Sequence, residues 1–302
     1  MNVFLSSMAC HNPKSEDKRQ CLILDYGVSM RKGLHIGTSG WSYDDDKGWR
    51  GVFYHSRRSL LQQYLRIFHT AEINSTFYAL PTPSFIKHLA NIKDEEVFFT
   101  AKLPKKVTHE HKLDLSGEGG VVLSDFFSLM EPVKHRLEAL LIQLPPWDIS
   151  NMADVESFFS RLDDSFRYAI EFRHESWLNA RVWKLLEDYG IAHVIVDEPK
   201  LPISLRVTTD FAYIRWHGHG SRPWYNYRYS VEELEAWKPR LEDLMGRSET
   251  VVAYFNNHFS GHAPLNALQM LSLLESINPR QMMKLERMLT HMSVTQTSLD
   301  EF

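Results

Sequence analysis

The sequence predicts a single (β/α)8 barrel of the TIM type. Three observations carry the prediction. Eight short apolar runs of strand length alternate with stretches whose apolar residues recur at helical spacing. The alternation occupies roughly 240 residues, close to the ~250 typical of such a barrel. No turn of the G-x-G-x-x-G type follows the first run. Gly37-Thr-Ser-Gly40 has neither that spacing nor the lysine of a phosphate loop, which counts against the rival doubly wound sheet.

Residues 1–33 show no period and read as a flexible extension, with Met30-Arg31-Lys32 as an alternative start. Strand one is Leu34 to Thr38, and Leu60, Leu61, Tyr64, Leu65 and Phe68 mark one face of the helix after it. Strand two, Ala71 to Asn74, precedes a helix opened by Pro83, because proline is tolerated in a first turn. Strand three is Val97 to Lys102. A polar loop with Gly117, Gly119 and Gly120 then leads to a helix near Phe126 to Leu137. Strand four, Ala139 to Leu144, is stopped by Pro145-Pro146, and Asp154 to Leu162 is helical. Strand five opens the stretch Tyr168 to Trp177, and the next helix, Ala180 to Tyr189, ends at Gly190. Strands six and seven are Ala192 to Val196 and Phe211 to Arg215. A helix from Val231 to Met245 is expected to kink at Pro239. Strand eight is Thr250 to Phe255, followed by a helix from Pro264 to Leu274. The barrel is thus 34–275, and 276–302 forms a further helix over Gln281 to Met292 with a frayed end.

Composition removes several classes of function. Of the 302 residues 34 are basic and 38 acidic, and the net charge of -4 gives no bulk attraction to nucleic acid or anionic membranes. Both cysteines, Cys10 and Cys21, precede Met30, so the barrel has neither a disulfide framework nor a thiolate metal site. No apolar run reaches the roughly 18 to 20 residues of a membrane helix. The first ten residues lack the basic start and long apolar stretch of a secretory signal, so a cytoplasmic location is expected.

In a barrel of this type the C-terminal strand ends share one mouth, where chemistry sits. In chain order they deliver Ser39 and Trp41, Glu72 and Asn74, Lys102, Gln143, Glu171 and Arg173, Asp197, Arg215 and His217, then Asn256 and Asn257. Polar residues end every strand and apolar residues begin them, an asymmetry that a purely structural barrel does not need. Glu171 and Arg173 are two apart and share a side of the strand, which turns His174 away from them. They read equally as a buried ion pair and as substrate contacts, and Lys102 equally as a partner of Glu72. Trp41, Tyr78 and Trp177 read either as rim packing or as stacking surfaces. His109-Glu-His111 is expected on a solvated loop.

A metal set of His217, His258 and Glu171 is conceivable from residue type. The His217-Gly-His219 spacing, however, falls on strand seven rather than strand one, and the chain is read as holding no catalytic metal and no cofactor. Glycoside hydrolysis needs two carboxylates flanking a bond, but strands four and seven end in Gln143 and Arg215. The basic set Lys102, Arg173 and Arg215 points instead to an anionic group, since a guanidinium fork matches carboxylate or phosphate. Ser260-Gly261 could add backbone donors at a helix start.

The segments G-T-S-G-W-S-Y (37–43), E-I-N-S-T-F-Y-A-L-P (72–81), F-T-A-K-L-P (99–104), Q-L-P-P (143–146), E-F-R-H-E-S-W (171–177), Y-I-R-W-H-G (213–218) and Y-F-N-N-H (254–258) resemble the YecE-like family, domain of unknown function 72. The resemblance runs from about Leu34 to Leu274 and implies a TIM-type barrel. Two positions depart from the family pattern. His55 stands where proline is usual, and His258 stands where aspartate is common, which takes a possible acid out of the mouth.

The leading expectation is an enzyme of hydrolase or isomerase type acting on a small phosphate- or carboxylate-bearing substrate. Arg173, Arg215 and Lys102 would hold the anion. Asn74, Trp41, Tyr78, Trp177, Asn256 and Asn257 would complete the binding site. Glu171 or Glu72 would be general base and His217 a proton donor or second base. One alternative is a nucleic-acid-binding or processing protein that uses the arginines for phosphates and the aromatics for bases. Another is a non-catalytic ligand sensor.

Overall fold

Eight parallel strands pair in sequence order, and the eighth returns to the first to close a barrel. They are β1 (Gly33–Ser39), β2 (Thr70–Ile73), β3 (Phe98–Lys102), β4 (Leu137–Gln143), β5 (Tyr168–Glu171), β6 (Ile191–Asp197), β7 (Phe211–Trp216) and β8 (Thr250–Phe255). Helices lie between them, so the protein is a (β/α)8 barrel of the TIM type. The computed structural model describes residues 33–43, 49–221 and 223–300. The expected N-terminal extension, its two cysteines and the alternative start at Met30 lie outside the described residues, Gly33 excepted.

Alternation along each strand builds two cores. On β7, Ala212, Ile214 and Trp216 join the large cluster under the helices, while Phe211 and Tyr213 join a smaller cluster inside the barrel. Val252 and Tyr254 of β8, Ala169 of β5 and Leu141 of β4 fill the same interior. Polar side chains cap it toward the mouth. Tyr254 OH and Thr70 Oγ1 are 2.7 Å apart, and Tyr213 OH and Thr100 Oγ1 are 2.8 Å apart. This inward phase, carried to the C-terminal strand ends and just past them, places the residues of the mouth.

The opposite end carries charge that closes the barrel. Arg136 donates to the carbonyls of Ile92, Asp94 and Val97, and Arg167 bridges buried Glu138 and Asp210. Contacts at the strand-start face of such a barrel serve stability rather than chemistry.

Helix boundaries follow local chemistry. Asn179 accepts from the amides of Arg181 and Val182 to start the helix Ala180–Tyr189, and Gly190, at φ 62°, ends it. Ser230 and Glu233 form a capping box for Val231–Glu235. The expected kink at Pro239 is instead a boundary. A second helix, Lys238–Arg247, begins with Pro239 in its first turn, where the missing N–H has no intrahelical partner to lose. The last helix, Pro279–Asp300, runs past the expected frayed end at Ser293 and buries Leu285 and Met288. Among the described residues no helix is long and apolar enough to cross a membrane.

Gly37 is required by a close approach. A Cβ there would lie 2.3 Å from the Thr70 carbonyl oxygen and 3.1 Å from Tyr64 OH, the group that joins Thr38 to Thr70. Gly37→Ala should therefore destabilise by about 1–3 kcal/mol through overpacking of β1 against β2. Urea denaturation reads this directly, and an unchanged midpoint would show that the strand pair yields freely.

Candidate functional site

The continued inward phase brings Ser39, Asn74, Lys102, Gln143, Arg173, Arg215, His217 and Asn256 to the border of one cavity of about 620 Å³. That size suits a small-molecule ligand.

Arg215 is the centre of the floor and is 1% exposed. Its Nη2 donates to Glu72 Oε1 at 2.7 Å and to Ser39 Oγ at 3.1 Å. Its Nη1 donates to Glu171 Oε2 and, at 3.3 Å, to Gln143 Oε1. Glu72 also accepts from the Ser39 hydroxyl and from Tyr213 OH at 2.7 Å. Ser39 Oγ in turn accepts from Asn74 Nδ2 at 2.8 Å, so its donor and both acceptor positions are filled. Glu171 accepts from Arg173 Nε at 2.6 Å and lies 3.4 Å from His217 Nε2.

Burial by itself would raise both carboxyl groups. Arg215 and then Lys102 nevertheless hold Glu72 below its ordinary value, and Arg173 and Arg215 hold Glu171 well below it. Both are fully buried, and neither borders the cavity. The anionic half of the network lies behind the floor, and the cationic half faces the ligand space.

Lys102 shows the consequence. It is 7% exposed, and its Nζ donates to Gln143 Oε1 at 2.8 Å and sits 4.4 Å above the centre of the Phe77 ring. Burial, reinforced by the nearby Arg215 charge, outweighs Glu72 and Glu171 and brings its pKa down to about 7. His217 is likewise pushed down, to about 4, by burial, with Glu171 opposing and Arg215 and Arg173 assisting. It is therefore neutral at physiological pH. Its Nδ1 lies 2.9 Å from the Asn256 side-chain nitrogen, which leaves Nε2 toward Glu171 and Arg173.

Not every expected residue reaches this cavity. Trp41, Asn74, Tyr78 and Asn256 border it, with Tyr78 80% exposed on the rim. Trp177 does not. It is buried, stacks on Phe172 at 5.0 Å and 10°, and donates Nε1–H to the Trp147 carbonyl. Asn257 also falls outside the cavity lining, because one step past Asn256 points it outward. There it donates to the Tyr227 carbonyl and to Asn266 Oδ1, both at 2.8 Å. Asp197 is out of phase in the same way. It accepts from Trp237 Nε1 at 2.8 Å and pairs with His219. The inward residue at that end is Glu198, whose carboxyl is raised, first by burial. Val194 and Val196, in the inner cluster, set the period that would have found it.

His174 caps the short turn Glu175–Trp177 and takes no part in the floor. His109, expected on a solvated loop, packs edge-on against Phe77 at 5.1 Å, and burial lowers it to about 4. The Gly261 N–H is already donated to the His258 carbonyl at 2.9 Å, so it offers no anion contact. His217, His258 and Glu171 do not converge. Among the described residues the His/Asp/Glu group with three ligand atoms within 4.8 Å of one another is His69, Asp94 and Glu96, all exposed.

Comparison with known proteins agrees with this architecture. The family model described as "Protein of unknown function DUF72" matches residues 35–293. UPF0759 protein YunF of Bacillus subtilis is 27% identical over 282 residues, covering 82% of this chain and 99% of that protein. UPF0759 protein YecE of Escherichia coli is 25% identical over 170 residues, covering 54% of this chain and 59% of that one. The crystal structure of a DUF72 family protein from Thermotoga maritima matches with a TM-score of 0.67 and 32% identity, over 80% of this chain and 99% of that chain. A DUF72 family protein from Enterococcus faecalis superposes with a TM-score of 0.70 at 20% identity, over 82% and 98% of the two chains, and is a likeness of fold. With 35–293 matched and the same closed barrel present, the chain belongs to the DUF72 family.

Proposed function

We propose that the protein is an enzyme that acts on a small phosphate- or carboxylate-bearing substrate in the barrel mouth, by hydrolysis or isomerisation. One observation carries the reading. Lys102 and Arg173 border the cavity, while the two carboxylates that balance the cationic cluster lie behind its floor. A ligand therefore meets positive charge in a low-dielectric setting, where an anion is held more strongly than in water.

Arg173 and Lys102 contact the anionic group, and Arg215 fixes the floor beneath them. Asn74 borders the same space, and its Oδ1 has no hydrogen-bond partner among the described residues, which leaves an acceptor for a substrate hydroxyl. Proton transfer falls to His217 as a donor and to Lys102, both at the cavity border, rather than to Glu72 or Glu171, neither of which borders it. We assign those two carboxylates a positioning role. Glu171 orients Arg173 and His217, and Glu72 holds Ser39 and Arg215.

Isothermal titration with inorganic phosphate and with pyruvate tests the reading. Wild-type protein should bind at least one of them, and Arg173→Gln should weaken that binding about 10-fold, near 1.4 kcal/mol. Absence of heat with both anions at low salt would remove the small-anion reading. Salt-sensitive binding of a short single-stranded oligonucleotide in the same experiment would replace it with the nucleic-acid reading.

A further inference from the structure

We infer that Lys102 is a nucleophile that binds the carbonyl carbon of a small anionic carbonyl compound, a 2-oxo acid or a phosphorylated ketone, as a Schiff base. The inference rests on the anion-binding reading above and deepens its isomerase branch.

The geometry begins with what Lys102 lacks. A buried lysine is ordinarily matched by a carboxylate. The two acids nearest the floor are instead taken by arginine: Glu72 by Arg215, and Glu171 by Arg215 and Arg173. Lys102 appears in none of the ion pairs among the described residues, and its donor partner is the neutral Gln143 oxygen at 2.8 Å. Arg215 Nη1 donates to that same oxygen at 3.3 Å. Two cationic groups thus converge on one uncharged acceptor, and the amine rests on the face of Phe77 at its other side.

Crowding by a fixed cation and by apolar surface is how a lysine is kept unprotonated enough to attack a carbonyl. Lys102 carries the expected lowering, to about 7, so far more of it is the free amine at neutral pH than of a surface lysine. Arg215 cannot surrender its own proton and remains the fixed cation.

The reaction balances without a further reagent. The amine nitrogen forms a C–N bond to the carbonyl carbon, and the C=O π pair becomes an alkoxide that takes a proton to give the carbinolamine. The carbinolamine oxygen takes a second proton and leaves as water, and the nitrogen lone pair closes the C=N bond. One amine hydrogen leaves with that oxygen, the second proton on it comes from solvent, and the remaining N–H stays on the protonated imine. Protonated on nitrogen, the imine draws electrons from the adjacent C–H bond. The proton released there leaves to solvent at the cavity mouth, since His217 Nδ1 already faces the Asn256 amide and its Nε2 faces Glu171 and Arg173.

Trapping decides the matter. Full-length protein is incubated separately with pyruvate and with dihydroxyacetone phosphate, reduced with cyanoborohydride, and examined by intact mass and peptide mapping. The expected result is one adduct per chain on the Lys102 peptide with at least one of the two probes. Its yield should rise to a plateau just above pH 7, whereas surface lysines continue to gain reactivity toward pH 10. Inorganic phosphate should suppress it. Lys102→Arg should abolish it, and Lys102→Met serves as a second variant, each checked for folding by circular dichroism. Which probe reacts distinguishes a carboxylate-bearing from a phosphate-bearing substrate. Adducts confined to surface lysines, with calorimetric binding of phosphate or pyruvate intact, overturn the Schiff base and leave the anion site standing. No adduct and no binding overturn both.

Discussion

Replacing Arg215 with methionine is expected to lower the unfolding free energy at pH 7 by about 3–5 kcal/mol, the cost of leaving a buried ion pair without one partner. The size of the effect follows from the number of groups that depend on this one side chain. Arg215 donates to Glu72, Glu171, Ser39 and Gln143, and both carboxylates are fully buried. In the variant Glu72 loses its strongest favourable neighbour and keeps only Lys102, Ser39 and Tyr213 against the burial that raises a carboxyl.

The pH dependence has a definite sign. In the wild type both folded carboxyls are depressed, so their contribution to stability is complete above the unfolded value of about 4.3. It is lost as the pH falls from there through the depressed folded values. In the variant Glu72 is expected to shift upward from its wild-type value, so acid should relieve the defect instead of creating it. The gap between the two proteins should therefore narrow from pH 7 to pH 4, as read from urea midpoints. Arg215→Lys should recover little, since one ammonium cannot span two carboxylates. A gap that stays constant with pH would mean that the loss comes from packing alone.

Trp177→Ala should also destabilise by about 3–5 kcal/mol, in the range of large-to-small aromatic changes in a core. Its affinity for whichever anion the wild type binds should nevertheless stay within about twofold, far less than the 1.4 kcal/mol that tenfold would need. Trp177 is 1% exposed and packs flat on Phe172, and its indole N–H is already donated to a backbone carbonyl. Chemical denaturation and calorimetry on the same sample separate the two effects. A stable variant with lost affinity would return Trp177 to the site.

The fate of Trp177 shows where the sequence stops being readable. A tryptophan just past a strand end has the same local pattern whether it lines a mouth or fills the layer beneath the helices. Strand residues are different, because period two fixes their side. Alternation alone separates Arg173 from His174 and Asn256 from Asn257. Followed one residue further on β6, it separates Glu198 from Asp197. The barrel itself was legible because eight strand-helix alternations leave few other architectures.

The pairing inside the mouth was not legible. Arg215 on β7 could meet Glu72 on β2, Glu171 on β5, or neither, until closure brings distant strands around one axis. The sequence presented both acids as candidate bases. The structure pairs both with arginine, Glu72 with Arg215 and Glu171 with Arg215 and Arg173. Lys102 presents the converse. It reads as the natural partner of Glu72, and closure gives that role to Arg215.

The floor has a kinetic consequence. Its acids and arginines satisfy one another, so an arriving anion has no internal acid to evict before it can dock. Under the anion-binding reading, exchange should then not be limited by rupture of an ion pair. A pocket of this kind would return to the same resting arrangement after each ligand departs.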